Sequence, residues 1–334
     1  MSSHTLSSTA KRTYWLGRYL ERAESTARLI AENANLMIDL PARLPHSWSP
    51  LISITGSEAT FANFYDEPTE GNVARFMIGD LRNPGSILSS LGWARDNVRT
   101  LRGIIPRQAV EYIIELHLYA RDNLSGSLSR SRRAEGLSEV PALIQQIDGF
   151  MSANMLHDAH WNFWRLGNFV ERADMTTRII DVGTDNPLQT LDAPGPFTDL
   201  QWRSALRSLN ATQSYLAVRQ EPIHQNAVVG FLIGNRALPR SLTYSLESLR
   251  NGLRTLPRSD RVLTAVNRLR RFLQNSEVES LEGADLHEFL DGCQVQLAGI
   301  HEQINRTYFE FRPRRKPERA RRSGGDQTTR RERT

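Results

Sequence analysis

The residues best equipped for chemistry in this 334-residue chain are carboxylates and guanidiniums set at helical spacing. Gly17, Glu21, Glu24 and Arg28 lie three or four residues apart, so a helix at about 3.6 residues per turn gathers them on one strip. Gly167, Glu171, Asp174 and Arg178 repeat that strip. Each offers two carboxylates a turn apart and a guanidinium one turn on. Glu21 and Glu171 could act as general acid or base. Arg18, Arg22, Glu24, Arg28, Arg172, Asp174, Arg178, Arg240 and Ser241 could hold a substrate. Arginine grips carboxylates and phosphates through a planar fork, and a carboxylate accepts an amine. Successive helical residues point about 100° apart, so Glu21 and Arg22, like Glu171 and Arg172, must serve different partners. Three uses stay open: buried ion pairs that fix the register of packed helices, a polar substrate pocket, or a magnesium site made by Glu21, Glu24, Glu171 and Asp174. No pair of Glu-x-x-His motifs points to a di-iron bundle.

Two strips need two long helices, and the chain supplies them by repetition. Residues 16–30, LGRYLERAESTARLI, recur as LGNFVERADMTTRII at 166–180, and residues 76–101 recur at 231–256. Two segments repeated in the same order predict a tandem duplication: one half over 1–155, a second over 156–311 packed on it as one domain, and a basic tail over 312–334. Leu16, Leu20, Ala23, Ala27 and Ile30 form a buried helical stripe, and residues 109–120, 200–218 and 281–308 show the same period. The predicted class is all-α, a helical bundle whose halves are related by a pseudo-twofold axis. A helical glycine costs about 1 kcal/mol relative to alanine, so Gly17 and Gly167 predict a close backbone approach. Pro84 and Pro239 fall where helices should begin, with Asn83 as an N-cap; such a terminus could bind an anion, though capping is its commoner use. Residues 55–58 read as a loop entering a helix, and 39–50 and 183–198 as connections. His157 and His160 have no counterpart in the first copy and read as surface or core residues.

Several function classes are excluded. Cys293 is the sole cysteine, so an internal disulfide and a multi-cysteine zinc site are impossible, which fits a reducing cytoplasm. No phosphate loop, His-Glu-x-x-His or Gly-x-Ser-x-Gly occurs. Neither an export signal nor a membrane span is indicated. The net charge of +5 comes from the tail, where ten Lys/Arg stand against three Asp/Glu. That tail, rich in arginine, proline and glycine, reads as disordered and could touch nucleic acid only nonspecifically.

The segments YWLGRYLERAESTARLI, ITGSE, NPGSILSSLGWARDNVR, WRLGNFVERADMTTRIIDV and PRSLTYSL resemble, in that order, the alpha-E family of bacterial helical proteins, named for its Glu-Arg motif. The resemblance runs from about Leu6 to Phe309 and makes Glu21-Arg22 and Glu171-Arg172 the motif positions. Gly85 and the long arginine-rich tail depart from the family pattern. It implies a partner, a circularly permuted ATP-grasp ligase, which would bind ATP and magnesium, while this chain binds no cofactor of its own. A transglutaminase-like protein, and in some cases a proteasome-related Anbu peptidase, are further implied neighbours. The implied work is on a peptide or amino-acid substrate: this chain would position it in an amide-bond-forming system, act itself on an amide-linked product through a Glu acid or base, or serve as a scaffold.

Overall fold

The computed structural model describes residues 3–40, 47–126, 129–184 and 196–310. The arginine-rich tail and part of each long connection lie outside them. Among the described residues the chain forms fourteen α-helices and no strand, so the all-α expectation holds. The first seven are α1 (Ser3–Asp39), α2 (Ser49–Ser53), α3 (Glu58–Ala62), α4 (Glu70–Ile78), α5 (Ile87–Thr100), α6 (Arg107–Leu124) and α7 (Arg130–Asn154). The next seven are α8 (Ala159–Thr184), α9 (Pro196–Ser208), α10 (Thr212–Val218), α11 (Gln225–Gly234), α12 (Leu242–Arg254), α13 (Asp260–Asn275) and α14 (Gly283–Ile304). No helix among the described residues is long and apolar enough to cross a membrane.

The two motif helices, α1 and α8, make the most extensive helix pair. The stripe Leu16, Leu20, Ala23, Ala27 and Ile30 is buried, as are Leu166, Phe169, Val170, Ala173 and Ile180 on α8. Each large apolar side chain so buried contributes about 1.5–3 kcal/mol of transfer free energy. At the crossing the backbones touch. A Cβ at Gly17 would collide with the Trp164 carbonyl oxygen, and one at Gly167 with the Tyr14 carbonyl. The expected close approach is therefore mutual, each helix entering the other where it lacks a side chain. Helices α5 and α7 flank α1, α12 and α14 flank α8, and α9 packs on both. One continuous apolar core runs through both halves, from Phe61 and Phe76 to Tyr215, Phe231 and Leu290. In it Phe61 meets Phe76 edge-on at 89°, and Tyr215 meets Phe231 at 90°.

Two local expectations are corrected. Pro84 and Pro239 lie in turns ahead of their helices, and the caps are Ser86, whose hydroxyl accepts the Ser89 amide, and Ser241, which accepts that of Tyr244. The Asn83 carboxamide is committed elsewhere: it donates to the Phe76 carbonyl and accepts the Gly85 amide, bending the chain before the helix starts. Residues 200–218 are not one helix but α9 and α10, broken at Asn210, whose φ of 50° is left-handed and suits asparagine.

Candidate functional site

Packing α1 on α8 brings both Glu-Arg pairs together as a crossed set. Arg172 on α8 forks onto Glu21 on α1, with Nε 3.0 Å from Oε1 and an Nη atom 2.6 Å from Oε2. Arg22 on α1 forks in turn onto Glu171, its Nε 2.5 Å from Oε1 and its Nη2 3.0 Å from Oε2. Each glutamate is thus answered by the other half's arginine, and each motif arginine faces away from its own neighbour, as the helical angle requires. Both carboxylates are buried, at 2 % and 1 % exposure.

A second guanidinium completes each carboxylate, and here the halves differ. Arg240, in the turn before α12, bridges Glu21 at 2.6 Å and Glu24 at 2.5 Å. The matching residue in the turn before α5 is Gly85, which has no side chain to offer. Glu171 receives its second guanidinium from behind, from Arg18 on its own pair of helices at 2.5 Å, where the second half carries Asn168. Arg28 pairs with Glu24 at 3.1 Å, and Arg178 with Asp174 at 2.8 Å while also donating to the Ile54 carbonyl. Gln145 on α7 donates to Glu24 at 3.2 Å, leaving Glu24 Oε2 buried without a partner. Ser241 is buried and committed to its cap.

The space that Arg240 fills on one side is therefore open on the other. A cavity of about 310 Å³ lies beside Gly85, walled by Arg22, Asp174 and Arg178, with Glu171 behind them and the hydroxyls of Thr26, Thr55, Ser57 and Thr60 around it. The loop at 55–58 does enter a helix, α3, as expected, and lines this space, its Thr55 and Ser57 hydroxyls donating to the backbone carbonyls of Ile52 and Thr55.

The electrostatics assign different tasks to the carboxyls. Burial would raise Glu171, but Arg18 and Arg22 overcome it and hold it down at about 2. Burial likewise opposes ionisation of Glu21, and Arg172 and Arg240 overcome it, so its pKa is lowered. Both stay charged at neutral pH, with every oxygen in an ion pair. Asp148 on α7 behaves in the opposite way. Burial, with Glu21 and Glu24 adding to it against Arg172, pushes this carboxyl up to about 7. On the other side, burial and Arg18 push His301 on α14 down to about 4, so the group beside Arg18 is a neutral imidazole. The cluster holds six guanidiniums, of Arg18, Arg22, Arg28, Arg172, Arg178 and Arg240, against the four carboxylates of Glu21, Glu24, Glu171 and Asp174. The four carboxylates that could ligate magnesium all face these guanidiniums.

Asp148 and the compensating role of Arg18 escape a reading of the sequence, since nothing in the period of α7 marks residue 148 as facing the cluster. The difference between Gly85 and Arg240 is visible in the repeat alignment, but its consequence is a matter of space. His157 stacks on Trp161 and His160 meets the Thr9 hydroxyl, away from the cluster.

Comparison with known proteins adds a family. Residues 5–309 match one described as a predicted alpha-helical domain with a conserved ER motif. The chain is 26 % identical over 325 residues to an uncharacterized protein of Mycobacterium bovis, and equally to uncharacterized proteins of two Mycobacterium tuberculosis strains. These alignments cover 88 % of this chain but 36 % of the relatives, so it spans about a third of their length. No solved structure matches.

Proposed function

This chain belongs to the Alpha-E family, and from that premise we propose that it is the substrate-holding component of an ATP-grasp-dependent system that forms amide or peptide bonds. The circularly permuted ATP-grasp partner would bind ATP and magnesium and activate a carboxyl group. This chain would present the peptide or amino-acid substrate to it, in the cytoplasm, with a transglutaminase-like protein as a further member of the system. The observation that carries the reading is the cavity beside Gly85. Its walls carry the guanidiniums of Arg22 and Arg178, each paired with one carboxylate, of Glu171 and Asp174, within a cluster whose arginines outnumber its ionised carboxylates. Around Glu171 and Asp174 three guanidiniums, of Arg18, Arg22 and Arg178, stand against two carboxylates, and that excess favours an incoming carboxylate, which Arg22 and Arg178 would orient. Glu171 and Asp174 hold those two arginines in place, and the motif glutamates Glu21 and Glu171 serve as fixed counter-charges. We also infer that the halves descend from one duplicated unit and have since diverged at 18/168 and 85/240.

The test is to co-purify the chain with its ATP-grasp partner and follow ATP-dependent modification of candidate peptides. Gly85→Arg places a guanidinium where the second half has one; it should leave partner binding intact and abolish turnover. Normal turnover by that variant would sink the proposal.

One observation favours a second reading, in which the chain is itself an enzyme acting on an amide-linked product. Asp148, poised near 7 beside Glu21 and Glu24, has the proton affinity of a general acid or base that the two motif glutamates lack. Under this reading Asp148→Asn removes turnover while substrate binding persists.

A further inference from the structure

The cavity beside Gly85 is continuous in sequence register with a second feature of the same half. On α1, Trp15, Tyr19, Arg22 and Thr26 follow at spacings of four, three and four, so they share one helical stripe. Arg22 and Thr26 line the cavity. Trp15 and Tyr19 are half-buried and stacked at 5.2 Å, and Trp93 of α5, 53 % exposed, stacks on Tyr19 at 6.4 Å. Arg18 lies over the Trp15 ring at 5.1 Å. An aromatic row thus leads along α1 to the arginine at the cavity wall.

The second half has neither feature. The positions matching Trp15, Tyr19 and Trp93 are Arg165, Phe169 and Ser248, and Phe169 is buried at 2 % exposure. Arg240 closes the matching space. The open cavity and the accessible aromatic row therefore coincide on one half, though each arises from different residues. Either alone would be an ordinary surface feature, but together they describe a track with a charged end.

We propose that this track binds a peptide by its C-terminus, with the terminal carboxylate in the cavity between Arg22 and Arg178 and an apolar or aromatic side chain about three residues upstream against Trp15, Tyr19 and Trp93. The occupant follows from charge and length. The cluster's excess of guanidiniums selects an anionic end, and Thr26 and Thr60 at the cavity wall carry hydroxyls that can donate to its oxygens, those of Thr55 and Ser57 being committed to backbone carbonyls. The seven steps along the helix from Trp15 to Arg22 rise about 10 Å, which an extended peptide spans in about three residues. Tryptophan and tyrosine side chains half-open to solvent are the kind of surface on which a peptide side chain is held.

This inference rests on the reading of the cavity as a carboxylate site, and the experiment separates the two. Calorimetry and tryptophan fluorescence of the full chain would be followed with three probes: an N-acetylated tetrapeptide acid of phenylalanine followed by three alanines, its C-terminal amide, and acetate. The acid should bind about tenfold or more tightly than the amide, the difference a charge-assisted contact makes. Trp93→Ala, at an exposed position, should weaken the tetrapeptide acid by about three- to tenfold and leave acetate unchanged. Gly85→Arg should abolish both. If acetate binds and the tetrapeptide acid binds no more tightly, or Trp93→Ala has no effect, the peptide track is wrong while the cavity reading survives. If the amide binds as well as the acid, or no probe binds, both are wrong.

Discussion

The two sides of the Glu-Arg cluster begin from nearly the same residues and end in different states. Around Glu21 and Glu24 the guanidiniums are Arg172, Arg28 and Arg240, the last inserted from the turn before α12. Around Glu171 and Asp174 they are Arg22, Arg178 and Arg18. The number of guanidiniums per carboxylate pair is unchanged, but one arrives from a different direction. An ion placed behind Glu171 satisfies it as well as one placed in front, so Arg18 makes Gly85 tolerable, and the front is left as a cavity. The closed side also gains a titratable carboxyl, Asp148, where the open side has a neutral His301. The two sides keep their buried charges matched pair by pair while only one of them leaves space.

If the crossed pairs hold the halves together, their glutamates should be the costliest residues to change. Glu171→Gln leaves Arg18 and Arg22 buried without a full counter-charge, and Glu21→Gln does the same to Arg172 and Arg240. Breaking a buried pair in this way costs about 3–5 kcal/mol, so both variants should show a similar large fall in urea midpoint. A loss below about 1 kcal/mol at either position would show that the side in question is not structural. Acid probes the same pairs. Glu171 has a folded pKa of about 2, below its ordinary 4.5, so its contribution is present above the ordinary value and is lost as pH falls toward 2. Unfolding midpoints measured from pH 5 to pH 2 should fall steeply in the native protein and far less in Glu171→Gln.

Arg240→Gly tests the closed side against the open one. It strips one guanidinium from Glu21 and Glu24 without an Arg18 to stand in, since Asn168 occupies that place. The expected cost is about 2–3 kcal/mol, and Asn168→Arg in the same chain should recover much of it. Failure of Asn168→Arg to rescue would mean that Arg18 does not compensate for Gly85.

Much of this arrangement can be read from the residues, and the limits are physical. The long helices follow from the 3.6-residue stripe, and the touching backbones from glycines placed where a helix would otherwise avoid them. The crossed pairing follows from the angle between adjacent helical side chains, which forces Glu21 and Arg22 onto different partners. What escapes depends on through-space relations between distant segments. The alignment shows Arg18 opposite Asn168 and Gly85 opposite Arg240 as unrelated differences; only packing reveals that one offsets the other. The cap at Ser86 is hidden because Asn83, an equally good capping residue, is used for the turn. The break at Asn210 requires a positive φ that no apolar period announces.

Asp148 gives the smallest expected effect and the most specific one, because it marks only the closed side. Its folded pKa is raised from 3.8 to about 7. A carboxyl whose pKa rises on folding binds more protons in the folded state, so its contribution is fully present below its ordinary pKa and is lost as pH rises through about 7. Above that pH the folded protein must either ionise Asp148 next to Glu21 and Glu24 or keep it protonated at a cost. The residue retains some exposure, so the effect is about 1 kcal/mol after allowance for solvent screening. Asp148→Asn, which keeps the shape and removes the titration, should therefore be most stabilising at pH 8, less so at pH 5 and indifferent near pH 3, read as the difference in urea midpoint between the two. On the open side the sign is opposite: His301 has a folded pKa of about 4, below its ordinary 6.5, so it costs stability as pH falls through 6.5 toward 4, and His301→Asn should remove a rise in stability between pH 5 and 6.5 and change nothing above it. A change of slope of the same sign in both variants would show that the two sides do not carry these opposite titrations.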